Sequence, residues 1–169
     1  MKLNNGLVVQ TSIAALLVVF GVVTKNSFEE IGEPDHPVGK PLGMGMFIGG
    51  WIYCAYILSK GKDKKALFIV PSLAIAGSVM MMKKYMAQKE EPPMVFPAIF
   101  ALSWIVLGVM VGNHLPGRAK YIGLIASAMV LGSMMKVLPY QREEKVVDGP
   151  GMPLFVIAWV ILIGLNSSR

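Results

Sequence analysis

Few residues in this chain have the types and spacing to do chemistry. Its two histidines are His36, in Glu33-Pro34-Asp35-His36-Pro37, and His114, in Asn113-His114-Leu115-Pro116-Gly117. Together with Glu29, Glu30, Glu33 and Asp35, His36 has the donors for a hard cation or for acid–base work. No nucleophile or oxyanion donor accompanies the cluster, and its two prolines fit a stiff, solvated turn between helices. No HExxH pattern or paired intramembrane aspartate occurs, and the single cysteine, Cys54, excludes a disulfide framework.

Methionine offers a second chemistry. The chain has 13, and most fall near one kind of loop: Met80, Met81, Met134 and Met135 before it, Met44, Met94 and Met152 after it. Thioethers ligate soft cations such as Cu(I) or Ag(I), which makes Met81, Met94, Met135 and Met152 candidate metal ligands. Methionine also fills gaps in apolar cores and makes adaptable contact surfaces, so packing is the plainer reading.

Small residues four apart form a third pattern. Gly45–Gly49 and Gly108–Gly112 are GxxxG pairs, and Gly123–Ser127 and Ala128–Gly132 are near equivalents. Such pairs let helix backbones approach closely, either within one bundle or across a dimer seam. Hydroxyls such as Ser72, Ser78, Ser127 and Ser133 have the groups to line a polar path, but in apolar helices they more often bond back to their own turn or across a packed interface.

The elements that must carry these residues are set by composition. The chain has 169 residues, of which 54% are hydrophobic and 15% charged, against about a quarter charged in ordinary soluble domains. Six apolar runs stand out: Gly6–Thr24, Leu42–Leu58, Ala66–Met82, Met94–Gly112, Tyr121–Leu138 and Met152–Leu165. All ten acidic residues lie outside them, and Lys136, in a last turn where its stem can snorkel, is the only Lys or Arg inside. These lengths approach the roughly 17–25 residues of a membrane-crossing helix. The last run is short and needs Asn166–Ser168 to complete a crossing. The runs are apolar all round rather than on one face, so the expected fold is an all-α integral membrane protein with six transmembrane helices. The first run exceeds a signal-peptide core and no small-x-small cleavage site follows it, so it counts as a helix.

The loops between runs hold 17, 7, 11, 8 and 13 residues, alternately long and acidic or short and basic. Prolines open the even runs at equal intervals, 97 − 41 = 56 and 153 − 97 = 56. The single polytopic domain, 1–169, is therefore read as three parallel helical hairpins of about 56 residues, roughly 6–58, 66–112 and 119–166. Proline suits a first helical turn, whereas Pro71 lies inside a run and should bend or loosen it. Lysine and arginine divide eight to eight between the two faces; their concentration in the short links points to both termini in the cytoplasm.

Intramembrane proton relays, voltage sensors and bis-His haem ligation need ionisable groups, which the first four runs and the last lack. The net charge of +6 sits in loops at helix ends, which suits lipid headgroups rather than nucleic acid. The expected function is a non-catalytic structural or accessory membrane subunit without a cofactor. Its partners would be the bilayer and either a second copy or a membrane complex. The alternative is a small transporter or channel for an ion or small solute, including a soft metal ion through the methionines. An enzyme comes third.

Overall fold

The computed structural model describes residues 4–30, 37–88, 90–142 and 151–168. Among them the chain is all-helical, with α1 Asn5–Glu30, α2 Gly39–Ser59, α3 Ala66–Ala87, α4 Val95–Gly112, α5 Tyr121–Arg142 and α6 Gly151–Ser167. A short 3-10 turn at Gly117–Lys120, not anticipated from the sequence, leads into α5. It starts at a glycine with φ +57°, a left-handed conformation that a side chain would disfavour.

Each helix holds an apolar run, and backbone hydrogen bonding carries several past its end. Helix α1 continues six residues beyond Thr24, through Lys25 and Asn26, because polar side chains at a helix terminus do not interrupt the ladder. Pro41, Pro97 and Pro153 are each the third residue of their helix, where a missing amide hydrogen costs no intrahelical bond. Pro71 is buried within α3.

Among the described residues, four stretches are long and apolar enough to cross a membrane: Asn5–Thr24, Gly39–Ser59, Ala66–Tyr85 and Val95–Gly112. Pro153–Ser167 is a shorter apolar helix. The outer faces match that reading. On α1, Val9, Ile13, Leu16, Phe20 and Val23 are all exposed at helical spacing, and Ile48, Ile52 and Tyr56 repeat the pattern on α2. So continuous an apolar exterior is unfavourable in water and favourable in lipid.

Every helix packs on its neighbour in the chain, α1 closes the ring against α6, and α4 also touches α6. At the closure the Asn4 amide donates to the Ser167 carbonyl at 2.9 Å, bringing the start of α1 beside the end of α6. With connections this short, successive helices run antiparallel, so α2, α4 and α6 point the same way.

Candidate functional site

The centre of the ring is built from the even helices. Each carries phenylalanine four residues before tryptophan: Phe47–Trp51 on α2, Phe100–Trp104 on α4 and Phe155–Trp159 on α6. One helical turn sets these rings edge-on at 6.4, 6.3 and 6.0 Å. The three indoles then meet one another. Centroids lie 6.1 Å apart for Trp51–Trp104, 6.0 Å for Trp51–Trp159 and 5.7 Å for Trp104–Trp159, a nearly equilateral triangle. Interplanar angles of 72°, 56° and 85° make it an edge-to-face cluster rather than a stack.

Below the indoles, toward the ends of the even helices, lies a cavity of about 30 Å³. Cys54, Leu107 and Leu162 line it three residues after each tryptophan, and Leu58, Val111 and Asn166 four residues later still. This 4-3-4 spacing is the inward seam of a helix packed among parallel neighbours. The polar lining comes from α1 and α6, where Asn166 Nδ2 donates to Thr11 Oγ1 at 3.2 Å. Thr11 Oγ1 in turn donates to the Leu7 carbonyl at 2.8 Å. Both side chains are buried, Asn166 almost completely. Nearer the surface, His114 Nε2 and Ser168 Oγ are 3.0 Å apart, joining the end of α4 to the end of α6.

The candidate glycines occupy two different settings. Gly108 and Gly112 face α5: a methyl group at Gly108 would run into the Gly123 carbonyl and the Ser127 side chain, and one at Gly112 into the Lys120 carbonyl. Ser127 Oγ donates to the Trp104 carbonyl across the same contact at 2.7 Å. Gly45 and Gly49 are exposed, and nothing lies within 4 Å of a methyl group placed on either. The tight approach of α1 to α2 uses other glycines. Added methyls would come 2.5 Å from Phe47 N at Gly21 and 2.8 Å from Val18 N at Gly50.

Of the methionine candidates, Met94 is 82% and Met135 75% exposed, and Met81 is exposed as well. The side chains of Met152, Glu29 and Glu30, and residues Glu33, Asp35 and His36, lie outside the described residues. Among the described residues no group of three His, Cys, Asp or Glu is placed to hold a metal. The hydroxyls mostly bond within their own helix: Ser78 Oγ to the Ile75 carbonyl at 2.9 Å and Ser133 Oγ to the Val130 carbonyl at 2.7 Å. Ser127 bonds across to α4 instead, as Thr11 does with α6 and Ser168 with His114.

The tryptophan cluster was not foreseen, although its signal is in the sequence. Phe-x-x-x-Trp recurs at intervals of 104 − 51 = 53 and 159 − 104 = 55 residues. The prolines, 56 apart, mark helix starts; the aromatic pairs mark the core, and the distance between the two markers differs from helix to helix. No protein-family model, curated protein or solved structure matches the chain.

Proposed function

We propose that the protein is a six-span integral membrane protein made of three parallel helical hairpins, acting as a non-catalytic structural or accessory subunit. One observation carries the reading. The place where three hairpins would leave an axial path is filled by Trp51, Trp104 and Trp159, with a phenylalanine packed on each. A packed aromatic centre gives a rigid bundle rather than a conduit. Recurrence of the Phe-x-x-x-Trp pair supports the threefold repeat, as does the shared 55-residue offset of Ser72, Ile75 and Ser78 from Ser127, Val130 and Ser133, all buried. The adjacency of Asn4 and Ser167 supports both termini on one face, which we assign to the cytoplasm. The apolar exterior makes the bilayer its first partner, beside a second copy or a membrane complex.

The test is flux through proteoliposomes. The protein should add no permeability to ions or small solutes, while Trp104→Ala, which hollows the centre, should introduce a leak. Saturable uptake by the parent protein would replace this reading with the second one, a small transporter, which the axial cavity beside Thr11 and Asn166 favours. A soft-metal version of the second reading would have to use thioethers that stand exposed. Ag(I) titration beside a variant with Met81, Met94, Met135 and Met152 changed to leucine tests it, and weak, equal binding by both removes it.

A further inference from the structure

The links that follow α2 and α4 are built to one plan. Each turns at a glycine in the left-handed region, Gly61 at φ +71° and Gly117 at φ +57°, a conformation that glycine adopts without strain. A basic residue follows each glycine and another comes two positions later: Lys62 and Lys64 in the first link, Arg118 and Lys120 in the second. All three correspondences share one offset, 117 − 61 = 56, 118 − 62 = 56 and 120 − 64 = 56, the interval that also separates the prolines. Reversing the chain explains the glycines. It does not explain the charges beside them.

The two links come together on one face. Leu58, Val111 and Asn166 line a common cavity, so the ends of α2, α4 and α6 converge. Beside those ends the described residues include Lys60, Lys62, Lys64, Lys65, Arg118 and Lys120, with Asp63 as the one acidic residue. The other nine acidic residues belong in sequence to the end of α1 and to the links after α1, α3 and α5.

Aromatic rings set the depth of these cations. Lys62 Nζ lies 5.3 Å from the centroid of the Phe68 ring, and Lys120 Nζ 5.3 Å from that of Tyr121. Both rings belong to the first turn of the following helix. The ammonium groups are thereby kept at the mouths of apolar helices instead of reaching far into water. Tyr56, one turn before Lys60, and Tyr121 are exposed, and amphipathic rings at helix ends belong at the headgroup boundary.

Resting on the membrane-spanning reading, we propose that this face is a docking surface for anionic phospholipid headgroups, held by the cation pairs Lys62–Lys64 and Arg118–Lys120. Charge complementarity selects the occupant. Each Lys or Arg near the surface adds attraction to an anionic leaflet, whereas a zwitterionic headgroup offers no net charge to attract. The cytoplasmic leaflet carries the anionic lipids, which agrees with the side assigned to the termini.

The test uses the full chain reconstituted in phosphatidylcholine vesicles with trace spin-labelled phosphatidylglycerol or phosphatidylcholine. The fraction of each label motionally restricted at the protein gives its relative affinity. One cation near the surface is worth about fivefold at its own site, so averaged over the whole boundary phosphatidylglycerol should be preferred by about twofold or more. Added salt should reduce the preference. Changing Lys62, Lys64, Arg118 and Lys120 together to Gln should remove most of it. Lys40→Gln with Lys84→Gln, at the other ends of α2 and α3, should leave it intact. Equal restriction of both labels by the parent overturns the proposal without any variant. A preference that the fourfold variant retains, or that the Lys40 and Lys84 pair removes, overturns it too. No restricted component for either label would overturn the membrane-spanning reading itself, and the proposal with it.

Discussion

The same motif, GxxxG, occurs on α2 and α4 with opposite outcomes. On α4, Gly108 and Gly112 bring the backbone against α5, carbonyl to glycine, and Gly123 answers from the other side. On α2, Gly45 and Gly49 point outward, while Gly50, one residue further round the helix, makes the tight contact with α1 at Val18. One residue is about 100° of rotation, so the neighbour of a motif can face the interface while the motif faces lipid. The spacing shows that a helix can be approached closely along one stripe. It does not say that a partner is there.

Four substitutions, with Pro71→Ala as a control, would break or sharpen this contrast. The largest effect is expected from Gly108→Leu. Its side chain would have to displace the Gly123 backbone and Ser127 together, costing about 3 kcal/mol or more, and protein yield and monodispersity on a sizing column should fall. Pro71→Ala should do less damage, because alanine restores the backbone amide that proline lacks inside α3. If Gly108→Leu remains as abundant and compact as the parent, the close packing of α4 on α5 is wrong.

Gly50→Ala should come next. A single methyl 2.8 Å from Val18 N and 2.9 Å from Val18 Cγ2 requires a local shift of α1, destabilising the protein by about 1–3 kcal/mol. Unfolding in mixed micelles would measure it, and a neutral result would show that the α1–α2 contact yields where α4–α5 does not. Ser127→Ala removes the bond to the Trp104 carbonyl beside Gly108, with an expected loss of roughly 0.6 kcal/mol, typical of hydrogen bonds between membrane helices. A loss several times larger would mean that this bond, rather than glycine contact, holds the pair.

The smallest effect belongs to Gly49→Leu. With nothing within 4 Å of a Cβ placed there and the position exposed, stability should change by no more than about 0.5 kcal/mol. Native mass spectrometry of the detergent-solubilised protein gives the informative comparison. An unchanged mass leaves the α2 stripe facing lipid; loss of a dimer on substitution would assign it to a second copy.

Helix positions were legible because they depend on local composition. Charges other than Lys136 are excluded from the apolar runs, and α2 to α6 begin within three residues of the expected starts. Less legible was the inward face. In a soluble helix the polar side marks solvent, but here Ile52 and Leu58 are equally apolar and only one is exposed. The methionines illustrate the same ambiguity: Met134 packs against the core while Met135, next in sequence, is three-quarters exposed.

What the sequence by itself determined is where the apolar helices lie and the proline-marked starts of the even ones. The long loops it expected after odd helices shrink, because α1, α3 and α5 run on past their apolar stretches and leave links of similar length throughout. Backbone hydrogen bonding is satisfied within each helix, so a helix in an apolar phase can be read without its neighbours. Only the tertiary structure decided that Trp51, Trp104 and Trp159 meet, that Gly108 is covered while Gly45 is not, and that a cavity lies under the indoles. Those outcomes depend on how each helix is rotated about its axis. When every face is apolar, rotation is settled by shape and by a few hydrogen bonds between helices, which composition does not encode.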